Sequence, residues 1–198
     1  MNKVTLYYCD TRKHTYSDLL SRIDLNVEQR KSLERFRVLE TKKERLISIY
    51  FKKKYVGDFT LNEHGKPVSD SVFFNISHSR GVVALAICEQ CKIGLDIEVI
   101  KPKDNDLVKY VCNDEEYRHV KNEFDFLSIW TNKESLVKCL GTGIKKDIKS
   151  IPSLPLDGQK EYQNNLFFSK ITKINDYIVS ITIMSGSDFN LQIVEESI

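Results

Sequence analysis

Ile93-Gly94-Leu95-Asp96-Ile97-Glu98-Val99 alternates apolar and acidic residues, the pattern of a strand whose successive side chains face opposite ways. Leu95, Ile97 and Val99 share one face, and Asp96 and Glu98 share the other. Two carboxylates side by side are either the solvated face of a half-buried strand or ligands converging on a hard divalent cation such as magnesium, which neutralises them. Two apolar runs precede this one, Val72 to Ser77 and Val82 to Cys88, and short turns join all three. The region therefore predicts an antiparallel meander.

Downstream, Lys101-Pro102-Lys103-Asp104-Asn105-Asp106 breaks the pattern with a polar, proline-containing segment, the natural link between halves spanning 1–100 and 101–198. Helices are expected around 107–121 and 123–140, then strands near Asn165 to Ile174, Tyr177 to Met184 and Leu191 to Val194. Upstream, residues 27–55 read as helical, with Thr41-Lys42-Lys43-Glu44 at capping-box spacing before Arg45-Leu46-Ile47-Ser48-Ile49-Tyr50-Phe51. Lys52-Lys53-Lys54 reads as a solvated last turn that complements the helix dipole. The order of helices followed by strands occurs twice, which makes the fold class α+β.

In the segment 123–140, Phe126, Ile129, Trp130, Leu136, Val137 and Leu140 recur at helical spacing and carry Lys133, Glu134 and Lys138 with them. Glu134 and Lys138 are four apart and share a face; alone, that is an ordinary surface pair contributing about a few tenths of a kcal/mol. Gly141-Thr142-Gly143 ends the helix. It is not a dinucleotide-binding loop, because it follows a helix and Lys146 stands where a third glycine would be.

Gly94-Leu95-Asp96-Ile97-Glu98 fits G-x-D-x-E, and Trp130, Lys133, Glu134, Ser135, Lys138, Gly141 and Gly143 fit W-x-x-K-E-[SA]-x-x-K-x-x-G-x-G. With Gly65-Lys66-Pro67 and Phe74-Asn75-Ile76-Ser77-His78-Ser79 upstream, four ordered motifs over residues 65–143 resemble the Sfp-type 4′-phosphopantetheinyl transferases. The resemblance implies two similar α+β halves in a pseudo-twofold arrangement, each with a small antiparallel sheet and packed helices, and an active site between them. It also implies a reaction: coenzyme A gives its phosphopantetheine arm to a serine of an acyl or peptidyl carrier protein and leaves as 3′,5′-ADP.

Carried over residue by residue, the resemblance makes Asp96, Glu98 and Glu134 magnesium ligands, with Glu134 also a candidate base for the serine. Glu116 could share either task, although Asn113-Asp114-Glu115-Glu116 is equally a helix N-terminus with acidic residues at the positive dipole end. Lys138 would reach a phosphate of coenzyme A, with Lys133 beside it as a positioning charge. Ser77 and His78 would meet the ribose 3′-phosphate, Lys66 and Pro67 the adenine, and Arg45 a phosphate. One stretch departs from the family pattern: in Asn26-Val27-Glu28-Gln29-Arg30-Lys31-Ser32, Gln29 and Ser32 stand where lysines are expected.

Composition narrows the alternatives. The 198 residues suffice for a substantial core, and 29% charged with 41% hydrophobic residues is ordinary for a globular chain. A net charge of +2, with lysines scattered among acidic neighbours, argues against nucleic acid as a partner. No apolar run approaches a membrane span and the start lacks signal-peptide organisation, so a cytoplasmic location is expected; a monomer is the expected state. Five cysteines suit reduced thiols, and Cys88-Glu89-Gln90-Cys91 reads as a hairpin turn without the second pair a zinc site needs. Two rival readings stand beside the transferase: a catalytically silent module that binds coenzyme A or a nucleotide, and a general nucleotide-binding or nucleic-acid-binding protein. The carrier and its pathway, whether fatty acid, polyketide or nonribosomal peptide synthesis, are marked by no motif.

Overall fold

The computed structural model describes residues 1–102, 104–143 and 147–198; Lys103 of the expected link and Lys146 lie outside them. Strand β1 (Asn2–Asp10) is followed by helices α1 (Tyr16–Arg22), α2 (Val27–Glu34) and α3 (Leu39–Phe51). A small ribbon, β2 (Thr60–Leu61) with β3 (Pro67–Val68), leads into β4 (Phe73–Ser79), β5 (Val82–Cys88) and β6 (Ile93–Val99). Then come α4 (Asn105–Val111), α5 (Asp114–His119), α6 (Glu123–Leu140), β7 (Gly158–Tyr162), β8 (Asn165–Ile174), β9 (Tyr177–Ile183) and β10 (Phe189–Glu195). This is the expected α+β class, although α3 starts at Leu39, so Thr41 lies inside its first turn rather than capping it. Among the described residues no helix is long and apolar enough to cross a membrane.

The meander expectation fails at β6. One sheet runs β10-β1-β5-β4 and the other β6-β9-β8-β7, so β5 already has β1 and β4 on its two edges and offers β6 none. The chain turns a corner at Cys88 to Cys91, whose sulfurs lie 3.4 Å apart, and β6 pairs with β9 instead. It is therefore not a hairpin turn. Each sheet draws one strand from across residue 100: β6 joins the second sheet and β10 pairs in parallel with β1.

The free edge of β4 faces β6 without a backbone ladder. Polar side chains at every second residue of β4 bridge the gap: Asn75 Oδ1 accepts from the Leu95 amide at 3.1 Å, and Ser79 Oγ accepts from the Val99 amide at 3.3 Å. The alternation that turns Asn75, Ser77 and Ser79 to this seam turns Phe74 into the core under α1 to α3. On the second sheet, Leu95 and Ile97 enter a core shared with Val4, Leu6, Val179 and Ile181.

Helix α6 lies directly on β6 because position 94 has no side chain. A Cβ there would stand 1.8 Å from the Ser135 carbonyl oxygen and 2.4 Å from the Cys139 amide nitrogen, distances no side chain can occupy. That contact brings the face of α6 bearing Glu134 and Lys138 over the acidic face of β6. The opposite face is polar too, and Asn132 there is paired: Lys160 Nζ donates to Asn132 Oδ1 at 2.7 Å and to the Ser153 carbonyl at 2.8 Å. Burial holds this ammonium down at about 7.

Candidate active site

The seam opens into a cleft of about 320 Å³ lined by Ser77, His78, Asp96, Glu98, Glu134 and Lys138, with Trp130 as one wall. Strand alternation aims Asp96 and Glu98 to the same side, and helical spacing sets Lys138 one turn after Glu134. Lys138 Nζ stands 2.5 Å from Asp96 Oδ1 and donates to Ser77 Oγ at 3.2 Å; Ser77 Oγ in turn donates to Asp96 Oδ1 at 3.0 Å. Ser79 Oγ donates to Glu98 Oε2 at 2.8 Å.

Three carboxylates face one lysine here, and the electrostatics register the imbalance. Burial pushes the Asp96 carboxyl up, Lys138 opposes this, and Glu98 adds to it. Glu134 is likewise raised by burial, with Lys138 opposing and Asp96 and Glu98 reinforcing. Asp96 Oδ2 is buried and has no hydrogen-bond partner, a state that costs free energy unless something positive or protic meets it. Oxygen donors, excess negative charge and an orphaned carboxylate oxygen fit a small hard cation. Among the described residues no three His, Cys, Asp or Glu side chains are arranged to hold a metal ion by themselves.

Other residues expected from the sequence lie elsewhere. Lys133 is 0% exposed: its Nζ is 2.7 Å from Glu116 Oε2 and donates to the carbonyls of Val111 and Ile148. Glu116 also accepts from the amide of Asn113, whose side chain caps α5, so the helix-start reading of that segment holds. This pair sits on the far side of α6 from the cleft because one residue along a helix rotates the side chain by about 100°. Lys66 Nζ donates to the carbonyls of Lys138, Cys139 and Ile93, closing the C-terminal end of α6, and with Pro67 it borders a separate cavity of about 140 Å³ beside Val72 and Leu140. Arg45 lines a third hollow with Gln29, Lys52 and Phe59. Lys52 is not a solvated last-turn charge: its Nζ lies 4.7 Å from the Phe59 ring centroid, and burial, aided by Arg45, lowers it to about 8.

Two neighbours of the cleft escape sequence reading. Ser79 bonds Glu98, and its place two residues after Ser77 on an alternating strand is the signal for it. Glu44, read in the sequence only as part of a capping box, has Oε2 3.2 Å from His78 Nδ1 and accepts from the Gly81 amide at 2.8 Å. Burial alone would raise its carboxyl; hydrogen bonds from His78 and the Gly81 amide, with the charges of His78 and Lys43, hold it below the ordinary value. Its signal is a carboxylate on the stripe Ile47, Ser48 and Phe51 that α3 turns inward.

A helix laid on a strand so that three carboxylates and a lysine share one cleft defines an α+β protein with an acidic, partly buried site. A family model described as the 4′-phosphopantetheinyl transferase superfamily matches residues 92–194, more than half of the sequence. The chain belongs to that superfamily. It is 32% identical over 109 residues to the 4′-phosphopantetheinyl transferase AcpT of Salmonella typhi, covering 50% of this chain and 57% of AcpT. It is 35% identical over 108 residues to the 4′-phosphopantetheinyl transferase of Bacillus subtilis, covering 50% and 44%, and 29% identical over 155 residues to psf-1 of Bacillus pumilus, covering 68% and 66%. The matches span about half to two thirds of these relatives' lengths.

Proposed function

We propose that this protein transfers the 4′-phosphopantetheine arm of coenzyme A to a serine of an acyl or peptidyl carrier protein and releases 3′,5′-ADP, with magnesium. The observation that carries the reading is the convergence of Asp96, Glu98, Glu134 and Lys138 on one cleft. Two functional halves meet there: residues 1–100 supply the nucleotide-binding segments and the acidic strand, and residues 101–198 supply the helix with Glu134 and Lys138.

Asp96, Glu98 and Glu134 would hold the magnesium together with pyrophosphate oxygens and water, as that ion prefers, and it would offset the charge on the phosphates. Lys138 neutralises a phosphate oxygen as a compact point charge, and Asp96 keeps its ammonium aimed into the cleft. Ser77 and His78 orient the nucleotide end. Lys66 and Pro67 belong to its adenine side, a reading supported by their motif match rather than by a shared wall, and Arg45, outside the four motifs, would face a phosphate from the neighbouring hollow. Glu134 accepts the serine proton as the serine Oγ–P bond forms; the P–O bond to the leaving nucleotide breaks and its electron pair departs with 3′,5′-ADP. Lys133 acts on the reaction only by bracing α6 through Glu116. The protein acts as a monomer in the cytoplasm, which holds both substrates.

Intact-mass measurement after incubation with magnesium, coenzyme A and a panel of apo carrier proteins from fatty acid, polyketide and nonribosomal peptide synthesis tests this. A gain of one phosphopantetheine on a carrier serine is expected. Coenzyme A binding with no gain on any carrier would favour a silent binding module instead.

A further inference from the structure

We propose that Cys88 and Cys91 form a redox-active dithiol, which a low-molecular-weight disulfide closes reversibly and whose closure shifts β6 against α6 across the cleft. Their sulfurs lie 3.4 Å apart at the corner between β5 and β6, so that making a bond of about 2.05 Å draws them together by little more than an ångström. Cys88 is buried and Cys91 partly exposed, while Cys9, Cys112 and Cys139 are all buried. Solvent therefore reaches the pair through one sulfur. Cys88 is the acidic member: a hydrogen bond from the Cys91 thiol holds it below the ordinary thiol value against the effect of burial, and the amides of Gln90 and Cys91 help.

The exchange balances between the dithiol and the incoming disulfide R–S–S–R. Proton transfer between the paired sulfurs puts the thiolate on Cys91, which attacks one sulfur of R–S–S–R and displaces the first RSH; the Cys88 thiolate then attacks the Cys91 sulfur of the mixed disulfide and displaces the second. Both thiol protons end on RSH, the cysteines are oxidised and the small disulfide is reduced. In a reducing compartment such a pair stays open and closes only when small disulfides accumulate, as sensing rather than structural disulfides do. The residues that follow Cys91 are tied to the other wall of the cleft. The Lys92 carbonyl accepts from the Met184 amide at 2.9 Å and from Cys139 Sγ at 3.3 Å, and Lys66 Nζ donates to the Ile93 carbonyl at 3.3 Å as well as to that of Lys138. Gly94 then sits directly against the main chain of α6. A pull on Cys91 toward β5 is thus passed along β6 to Asp96 and Glu98, where they face Glu134 and Lys138.

Trp130, the single tryptophan of the chain and one wall of the cleft, reports such a shift without turnover. The full chain is incubated with oxidised glutathione and read by intact mass, peptide mapping and Trp130 fluorescence; only a parallel rate measurement rests on the transferase reading. Wild type is expected to lose two hydrogens at Cys88 and Cys91 without retaining glutathione, to change its Trp130 emission, and to transfer the arm about three- to tenfold more slowly, all reversed by dithiothreitol. Cys88→Ser, which lacks the resolving sulfur, is expected to keep a glutathione adduct on Cys91. Cys91→Ser, whose remaining thiol is buried, is expected to stay unmodified with unchanged emission. A stable glutathione adduct on wild type, or no reaction at either cysteine, would overturn the dithiol. A disulfide that forms while Trp130 emission stays as in the reduced protein would overturn its coupling to the cleft. Carrier proteins gaining no arm even from the reduced protein, with the disulfide and the emission change both present, would overturn the transferase reading and leave this inference standing.

Discussion

Lys138 and Asp96 meet across the contact between α6 and β6, Nζ 2.5 Å from Oδ1, while the second oxygen of the same carboxylate is buried without a partner. A salt bridge built for stability would satisfy both oxygens. This one leaves half of a carboxylate in reserve.

Replacing Asp96 should therefore separate stability from activity. Asp96→Ala is expected to lower phosphopantetheine transfer by about 10²-fold or more while the thermal midpoint stays level or rises, because a desolvated carboxyl is removed and half-exposed Lys138 regains water. A folded variant with near-normal transfer would sink the assignment of Asp96 to the reaction.

Glu134→Gln distinguishes a base from a ligand. Raising magnesium should recover part of the lost rate and then plateau well below wild type, since concentration offsets weakened affinity but cannot replace a proton acceptor. Full recovery would eliminate the base role; a variant indifferent to magnesium and as fast as wild type would eliminate both.

Lys133→Ala strands Glu116, 1% exposed, without its cation, and should cost about 3–5 kcal/mol in denaturant unfolding. The double variant Lys133→Met with Glu116→Gln should recover at least half of that loss, and its folded fraction should transfer the arm at a rate within severalfold of wild type. A stable double variant without activity would return Lys133 to the chemistry.

Gly94→Ala should destabilise by about 3 kcal/mol or more, because the added methyl meets main-chain atoms of Ser135 and Cys139 rather than a yielding side chain. Circular dichroism melting checks it. A melting temperature within about two degrees of wild type would show that α6 can lift off β6 at little cost.

Lys160 gives a pH signature remote from the cleft. Its folded value near 7 lies below the ordinary lysine value of 10.5, so between those pH values the unfolded chain holds more protons and stability contributed by this group rises with pH. Below the folded value the contribution is flat at its least favourable level. The difference between wild-type and Lys160→Met unfolding free energies should climb by up to about 1 kcal/mol per pH unit from pH 7 to 9; a flat difference curve would refute the lowered value of the buried Lys160 amine.

The strand at Ile93–Val99 and the helix at Glu123–Leu140 are legible in the sequence because each keeps one period throughout. Their chemistry is legible too, since alternation and four-residue spacing already pair Asp96 with Glu98 and Glu134 with Lys138. Sheet membership is not: whether β6 joins β5 depends on β1 occupying an edge, and β1 lies some eighty residues earlier. Strand β7 is hidden because Gln159-Lys160-Glu161 is polar throughout and is strand only through pairing with β8. The inward turn of Lys133 is equally silent, as nothing local distinguishes it from Lys138 until Glu116 arrives from another helix.

The exchange of strands between the sheets also orders events during synthesis. While the polypeptide is still emerging from the ribosome, β1 has one edge open until Phe189–Glu195 arrives, and β6 has no ladder at all until Tyr177–Ile183 does. Both walls of the cleft are braced by strands that follow all four motifs in the chain, so a product stalled before Tyr177 carries every motif and yet lacks the ladders that hold the cleft together.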